Sequence, residues 1–297
     1  MGKSKEIVVL SGKGGTGKTT VTSSLARLIP SKIIADTDVD AANMYILMDP
    51  RNYNKEKFKG KSVAEIDDNK CISCNICKEK CRFNAIEIIN GKYKVDNLSC
   101  DGCTLCSLVC PANAIEMKRQ FVGEWYLSDT KYGDFVYARL DPGAENSGNL
   151  VTMVKHQSKL KAEEKNIDLI LIDGPPGIGC PVTASLSGAD FAIIVTEPSL
   201  SGISDLKRIL HLAEHFKVKT GIVINKFDIN ENNCKSIESF ASKTGIEIMA
   251  KIPHSYCVIN EISNRNIPFD NCEDLSEPVK EIYGKIVEFF KESDVTE

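Results

Sequence analysis

Short apolar runs alternate with longer amphipathic segments along most of the chain. Residues 5–10, 32–36 and 167–173 are apolar runs of strand length, and each leads into a turn of small or acidic residues. Runs of this kind are typical of buried parallel strands. The alternation predicts an α/β fold with right-handed crossovers and a mostly parallel sheet covered by helices. Further strands are predicted at 121–130, 135–141, 191–196, 220–225 and 246–253.

Helices are predicted where apolar residues recur at helical spacing. The segment 21–29 continues the first strand as a helix, and 145–166 combines a loop with a helix that has a charged outer face. The last helix is expected near 277–291, where one stripe carries four apolar residues. These are Val279, Ile282, Ile286 and Phe289.

A cysteine-rich stretch from Cys71 to Pro111 follows neither pattern. It holds eight of the twelve cysteines, in two runs of C-x2-C-x2-C-x3-C, and CRFNAIEI at 81–88 realigns with CPANAIEM at 110–117 as an internal repeat. In bacterial ferredoxins three thiolates of such a run bind one iron–sulfur cube, and the fourth ligates the other. We therefore expect a bacterial-type ferredoxin subdomain with two 4Fe–4S clusters. The expected ligands are Cys71, Cys74, Cys77 and Cys110 for the first cluster, and Cys100, Cys103, Cys106 and Cys81 for the second.

Zinc and disulfides are the alternatives for these cysteines. Zinc sites use four ligands in C-x2-C pairs, which does not account for three evenly spaced cysteines and a distant fourth. Disulfides need an oxidising compartment, and the N-terminal MGKSKE lacks the apolar region of a signal peptide. We expect thiolates in a reducing cytoplasm. For Cys234, Cys257 and Cys272 the expectation is core or partly exposed residues without a metal.

The cysteine repeat interrupts the α/β pattern, so it is expected to be an inserted subdomain. The predicted boundaries are 1–62 for the first part of the α/β domain, 63–118 for the insert and 119–297 for the second part of the α/β domain. Residues 51–61 are basic and polar, which favours a linker into the insert.

Composition narrows the choice of partners. The formal net charge is −4, and each oxidised cluster with four thiolates adds roughly two negative charges. This balance disfavours a broad nucleic-acid-binding surface. No run of 18 apolar residues is present, so no membrane span is expected.

The glycine-rich segment GKGGTGKT at 12–19 satisfies G-x4-G-K-[ST] between a predicted strand and a predicted helix. Its glycines allow backbone N–H groups to converge on phosphate oxygens at the helix N-terminus. Lys18 is expected to reach the β and γ phosphates, and the Thr19 hydroxyl to bind Mg²⁺. The nucleotide-binding residues predicted in this loop are Gly14, Gly15, Thr16, Gly17, Lys18, Thr19 and Thr20.

Three segments carry a family resemblance. KGGTGKTT at 13–20, DTDVDAAN at 36–43 and IDGPPG at 172–177 resemble the deviant Walker A ATPases. That group includes MinD, ParA and Mrp, with the nitrogenase iron protein as a relative.

The resemblance implies roles for four residues. Lys13 is expected to reach across a nucleotide-sandwich dimer to the partner's phosphates and to stabilise transition-state charge in trans. Asp38 matches the residue that orients the attacking water. Asp36 would support the Mg²⁺ shell, and Asp173 would be the Walker B-like acid.

The nucleotide base is expected to lie beside NKFD at 225–228. This string is similar to the guanine-reading NKxD of GTPases, but in the MinD-like group the asparagine after this strand contacts adenine. The resemblance therefore implies Asn225 and Pro253, within IPHS at 252–255, as base contacts. ATP is expected, and GTP is left open.

A ferredoxin inserted after the DxD segment resembles a group of MinD-superfamily ATPases over nearly the whole chain. Its members are associated with iron–sulfur or iron–molybdenum cofactor assembly. The resemblance implies an ATP-hydrolysing iron–sulfur protein that forms a nucleotide-dependent homodimer, or a heterodimer with a related ATPase. This dimer would control electron transfer or cofactor assembly on a client protein.

The alternative is a MinD- or ParA-like assembly or positioning switch, with the clusters as redox sensor or structural element. The acidic C-terminal KESDVTE lacks the basic amphipathic membrane helix of MinD, which disfavours this alternative.

Cys180 and two histidines remain. Cys180 lies seven residues after Asp173, where the nitrogenase iron protein has a cluster-ligating cysteine; the other interpretation is a small buried residue in a helix-start turn. His211 and His215 are four residues apart on one helix. Without a third ligand, they are expected on a solvated face.

Overall fold

The computed structural model describes residues 4–144 and 147–295, so Glu145 and Asn146 of the predicted loop and helix lie outside the described residues. The strands are β1 Lys5–Ser11, β2 Ile33–Asp36, β3 Arg51–Ile66, β4 Ile86–Ile89, β5 Lys92–Val95, β6 Ile115–Thr130, β7 Gly133–Leu140, β8 Leu169–Pro176, β9 Phe191–Thr196, β10 Lys219–Asn225 and β11 Glu247–Ile252. The helices are α1 Lys18–Leu28, α2 Tyr45–Met48, α3 Ile76–Lys80, α4 Leu105–Leu108, α5 Ser147–Lys165, α6 Cys180–Leu186, α7 Leu200–His215, α8 Glu231–Thr244, α9 Tyr256–Ser263 and α10 Glu273–Val295.

The predicted parallel sheet is confirmed. In the described part of the chain its order is β11-β10-β9-β1-β8-β2-β7-β6-β3. Every pairing from β11 to β7 in that order is parallel. The central strands β1, β8 and β9 are almost entirely buried because helices cover the sheet. Their carboxyl ends bring the glycine-rich loop, Asp173 and the turn after Thr196 to one edge.

The chain forms two compact units within the described residues. The first comprises residues 4–55, 125–139 and 147–295, and the second comprises residues 56–124 and 140–144. In the first unit, Val279, Ile282 and Ile286 of α10 are buried in the core as predicted, with Phe289 partly buried against it. The second unit has its own small core, which includes Val63, Ile66, Ile86, Tyr93 and Ile115.

The prediction of a linker at 51–61 is wrong, because these residues belong to strand β3. Lys57 and Lys59 are exposed, whereas Phe58 between them is buried. This alternation is the period of a strand, but the density of lysine concealed it in the sequence. The strand pairs with β6, which begins at Ile115 rather than at the predicted 121.

The expectation that no cysteine forms a disulfide is wrong for one pair. Cys257 of α9 and Cys272, just before α10, are disulfide-bonded, with their Cα atoms 5.8 Å apart. Their separation of 15 residues is not a recognisable spacing, so only the fold brings them within bonding distance. Cys234 is a buried thiol, as predicted.

No helix among residues 4–144 and 147–295 combines the length and the apolar content that a membrane crossing needs.

Candidate functional site

The glycine-rich loop joins β1 to the N-terminus of α1. Gly15 and Gly17 adopt left-handed backbone conformations, with φ of 79° and 94°. The Asn225 side chain donates a hydrogen bond to the Thr16 carbonyl at 2.7 Å. A Cβ atom at Gly17 would lie only 2.2 Å from the same Asn225 nitrogen. The close approach of Asn225 therefore requires glycine at this position.

Asp173 organises the start of α1. Its fully buried carboxylate accepts hydrogen bonds from the hydroxyls of Thr19 at 2.7 Å and Thr22 at 2.8 Å, and from the Lys18 ammonium at 3.2 Å. The predicted Walker B-like acid thus lies directly beside the predicted phosphate lysine and the predicted Mg²⁺ threonine. Thr22 was not predicted; its position one helical turn after Lys18 is the signal that identifies it.

The acidic segment after β2 closes the other side of the loop. Asp36 is fully buried, and its carboxylate accepts hydrogen bonds from the backbone N–H groups of Asp38 at 2.9 Å and Met44 at 3.3 Å. Burial raises the pKa of Asp36 well above its usual range, and the negative charge of Asp173 adds to this effect. Asp36 therefore fixes the backbone that presents Asp38.

Asp38 faces the phosphate lysine. One of its carboxylate oxygens lies 3.6 Å from the Lys18 ammonium. Burial raises the pKa of Asp38, and Lys18 only partly opposes this. Burial lowers the pKa of Lys18, but the carboxylates of Asp173, Asp38 and Asp36 outweigh it, so the net direction is upward. The result is a fixed cation beside a carboxyl group of increased basicity.

Two cavities adjoin the loop. The larger, of about 550 Å³, is lined by residues from Gly14 to Thr20 together with Asp38 and Asn43. The smaller, of about 240 Å³, is lined by Asn225 and by the segment from Ile252 to Ser255. Thr20, Gly15 and Gly17 line both cavities. The predicted phosphate and base contacts are therefore arranged around one loop.

Lys13 is held by its own chain. Its ammonium lies 2.6 Å from Glu197 and donates hydrogen bonds to the hydroxyls of Ser199 at 3.2 Å and Ser201 at 3.0 Å. Lys226 also approaches Glu197, at 3.4 Å, and donates to the Gly15 carbonyl at 3.2 Å. Glu197 is partly buried, which opposes ionisation, but the two lysines lower its pKa below the ordinary value.

Glu197 was not predicted as a site residue. It follows β9, the neighbour of β1 in the parallel sheet, so its place at the carboxyl end of an adjacent strand is the available signal. The prediction that Lys13 acts in trans stays a prediction.

Cys180 is the first residue of α6 and is exposed, so the interpretation of a buried residue is wrong. His211 and His215 are exposed on α7, as expected of a solvated face.

The two cysteine runs have the same backbone conformation at equivalent positions. Asn75 and Thr104, at equivalent positions of the two runs, share φ 66° and ψ −8°. Ser73 and Gly102, and likewise Asn84 and Asn113, are equivalent pairs with positive φ. L-residues rarely adopt positive φ. Because both runs do so at equivalent positions, they present their cysteines in the same way.

The two repeats exchange backbone hydrogen bonds. The N–H of Asp67 donates to the carbonyl of Ala114, and the N–H of Asp96 donates to the carbonyl of Ala85, both at 2.8 Å. Each repeat therefore completes its backbone bonding with the other. The same donor–acceptor relation thus occurs in both directions between the two repeats.

The same exchange brings cysteines of both repeats together. Cys71, Cys74, Cys77 and Cys110 line one pocket, whose other walls include Tyr93. Burial raises the pKa of the Cys77 thiol, and the other three cysteines lie close enough to raise it further. Cys106 lies within electrostatic range of Cys100 and Cys103. Within the described residues, no group of three or more His, Cys, Asp or Glu side chains is placed to hold a single metal ion.

Comparison with known proteins agrees with the geometry of the loop. Residues 7–269 match the family described as the CobQ/CobB/MinD/ParA nucleotide binding domain. The chain belongs to this family. This family is a nucleotide-binding one, and the α/β P-loop fold described above agrees with it.

Two proteins of Methanocaldococcus jannaschii are similar to this chain in sequence. The uncharacterized protein MJ0578 is 34% identical over 288 residues, which cover 96% of this chain and 97% of the relative. The uncharacterized protein MJ0579 is 27% identical over 229 residues, which cover 76% of this chain and 81% of the relative.

Among solved structures, the septum site-determining protein MinD of Pyrococcus horikoshii OT3, complexed with Mg-ADP, superposes with a TM-score of 0.56. It is 17% identical and matches 94% of each chain, which shows a shared fold.

Proposed function

We propose that this protein is an ATP-hydrolysing iron–sulfur protein whose nucleotide-dependent dimer controls electron transfer or cluster delivery to a client protein. The observation that carries the proposal is the convergence of Cys71, Cys74, Cys77 and Cys110 on one pocket, in a chain that also carries the family's nucleotide site. Three cysteines of one run and the last of the other are the ligand set of a ferredoxin cluster.

The cysteine unit fits a cluster in three respects. The pocket combines four thiols with apolar side chains, including Ile66 and Ile115. The Sγ atom of Cys110 already accepts a hydrogen bond from the N–H of Ala114 at 3.3 Å, and hydrogen bonds to the ligating sulfurs tune the reduction potential of a cluster. Each cysteine of a cube binds a different iron, so the four thiols need not converge on a single ion.

The repeat relation supports a second set, which is Cys100, Cys103, Cys106 and Cys81. Cys81 stands in the first run where Cys110 stands in the second. The proposed insert is 63–118, within the second compact unit. When bound, such clusters supply reversible one-electron storage.

The nucleotide chemistry follows from the residues around the loop. Lys18 would bind the β and γ phosphates, and the hydroxyl of Thr19 would bind Mg²⁺. Asp173 and Asp36 would support the ligand shell of the Mg²⁺ ion. Asp38 would orient the attacking water, since its carboxyl group is presented toward the cavity with an increased basicity. Water attack on the γ phosphorus would release ADP and phosphate. The bound Mg-ADP of the Pyrococcus relative supports the same ligand class.

ATP is favoured over GTP by the position of Asp228. In an NKxD site the aspartate reads guanine, but here Asp228 accepts the N–H of His254 at 2.7 Å and lines neither cavity at the loop. Asn225 and Pro253 do line the smaller cavity, so they are the proposed contacts to adenine.

Closure of a dimer on ATP would place Lys13 against the phosphates of the partner subunit. The partner is a second copy of this chain or a related ATPase. The two relatives in Methanocaldococcus jannaschii support the heterodimer, because they indicate that two such chains occur in one organism.

The proposal is tested on protein purified without oxygen. We expect brown protein with about eight irons per chain, and ATP hydrolysis that requires Mg²⁺. Cys110→Ala should lose about half of this iron, whereas Cys180→Ala, the matched control, should keep it. Colourless wild-type protein that contains zinc would refute the cluster assignment.

Mixing with an apo client then separates the two outputs. Loss of iron from this protein with ATP would identify cluster delivery, and reversible bleaching without iron loss would identify electron transfer.

A positioning switch is the second candidate, because the Pyrococcus structural relative is a septum site-determining protein. It predicts ATP-dependent assembly that persists unchanged in Cys110→Ala. Dependence of the client reaction on the cysteines would exclude it.

A further inference from the structure

One face of the second compact unit is strongly basic. Lys57 and Lys59 on β3 place their ammonium groups 5.2 Å and 5.3 Å from the centre of the Phe121 ring on β6. Because side chains alternate along a strand, Lys61 and Arg119 belong to the same side of this ribbon. We call this surface the basic face. Its members are Lys57, Lys59, Lys61, Arg119 and Phe121.

The basic face is exposed. Lys57, Lys59 and Arg119 are all exposed, and the Phe121 side chain remains 53% accessible between the lysines. The chain as a whole has a net charge of −4. A concentration of positive charge on a negatively charged protein therefore attracts acidic surfaces to the basic face.

The basic face ends at the second cysteine run. A Cβ atom at Gly102 would lie 2.3 Å from the Ser62 carbonyl oxygen and 4.0 Å from the Lys61 side chain. Gly102 thus packs directly on the end of the basic segment of β3. It stands between Cys100 and Cys103, and Cys103 is exposed. A protein bound to the basic face would lie beside the cysteines proposed to hold the second cluster.

We propose that the basic face is the docking surface for an acidic protein that exchanges electrons or clusters with the second cysteine set. This inference rests on the proposed function, and it names the charge of the partner and the cluster that faces it. An exposed aromatic ring flanked by cations has the composition of an interface centre. The opposite charges would guide the partner toward Cys103 before close contact.

Lysines on β3 also have a simpler role. This strand is an edge of the described sheet, and charges on an edge strand prevent pairing with other sheets. Glutamate protects an edge as well as lysine does. Charge reversal therefore preserves edge protection while it removes attraction to an acidic partner.

The test uses the full-length protein and a purified acidic ferredoxin as the probe, without oxygen. Binding should weaken with added salt. The double variant K57E/K59E should bind at least about tenfold more weakly at low salt. The control K235E/K243E changes two exposed lysines of α8 by the same charge, and it should bind like wild type.

Three outcomes would overturn the docking surface. These are no binding of the ferredoxin by wild type at low salt, equal binding by K57E/K59E, and a short duplex DNA that binds more tightly with the same lysine dependence. The last result would identify a nucleic-acid surface instead. Iron content and ATP hydrolysis are measured on the same samples. Wild type without iron would refute the proposed function, whereas normal iron with unchanged K57E/K59E binding would refute only the docking surface.

Discussion

The Lys13 ammonium lies 2.6 Å from the Glu197 carboxylate of its own chain, and not in the phosphate cavity. If Lys13 serves the partner's nucleotide, this ion pair has to break when the dimer closes. In that case Glu197 would compete with the partner's phosphates for Lys13. The hydroxyls of Ser199 and Ser201 strengthen the competing position.

Replacing Glu197 should make dimer closure easier. A partly exposed ion pair contributes at most about 1 kcal/mol, so E197Q should dimerise at an ATP concentration lower by up to about fivefold. Sedimentation velocity over an ATP titration measures this. Unchanged or weaker assembly of E197Q would contradict a competing role for Glu197.

Lys13→Ala should abolish ATP hydrolysis while iron content stays at the wild-type level, because in the proposed mechanism Lys13 acts on the partner's phosphates and takes no part in holding the clusters. Phosphate release and iron analysis on one preparation provide the measurement. Undiminished turnover would exclude the in-trans mechanism.

Thr22→Val should weaken Mg-ATP binding. It removes one hydrogen bond from the buried Asp173 carboxylate, and hydrogen bonds to charged groups contribute about 1.5–3 kcal/mol. If most of that energy holds the phosphate-binding residues in place, the affinity for Mg-ATP should fall by roughly tenfold to hundredfold. Thr152→Val is the matched control, because both threonine hydroxyls lie within hydrogen-bonding distance of the carbonyl four residues earlier. Equal affinities of the two variants, by calorimetry, would contradict the prediction.

Lys32 should make stability depend on pH. Its ammonium is buried and donates to the carbonyls of Ile29 and Tyr132. Burial, with a contribution from Arg27, lowers the pKa of Lys32 from 10.5 to about 8. Between these two values the unfolded chain binds more protons than the folded one, so the free energy of unfolding should rise as pH increases from about 8 to 10.5.

Lys32→Met should abolish this rise. Urea unfolding of wild type and variant, followed by circular dichroism below pH 8 and near pH 10, measures how the free energy of unfolding of each protein changes with pH. Parallel pH dependence of wild type and variant would assign the rise to other groups.

The Cys257–Cys272 disulfide should stabilise the region around α9. Closing a loop of 15 residues contributes about 3 kcal/mol in the chain-entropy treatment. Cys257→Ser should lower the urea midpoint of unfolding. Cys234→Ser is the control, because it replaces a buried cysteine that forms no disulfide. Thiol counting by mass spectrometry verifies the bond. Two fewer oxidised cysteines with no change in midpoint would contradict a stabilising role.

Much of the nucleotide site was predictable because it depends on local rules. The motif from Gly12 to Thr19 fixes a strand, a turn and a helix together, and Asp173 follows directly on the apolar run LILI at 169–172. The parallel sheet then brings these ends to one edge. Their neighbours were harder to predict. Glu197 reaches Lys13 across strands that are far apart in sequence, and no local spacing encodes that pairing.

The failures have a common physical origin. Strand β3 was missed because alternate lysines resemble a polar linker until the buried Phe58 is seen between them. The disulfide was missed because Cys257 and Cys272 meet only when α9 and the start of α10 pack together. In both cases a distant segment decides the structure, and sequence periodicity reports only on near neighbours.

The exchanged hydrogen bonds of Asp67 and Asp96 have a consequence for how such a unit can arise or be divided. A single repeat has a donor whose acceptor belongs to the other repeat, and a fourth cysteine that the first-run pocket takes from the second run. One repeat alone could satisfy these groups only by pairing with a second copy of itself. The unit is in effect a dimer fused into one chain, so deleting either half should dismantle both sets of cysteines at once.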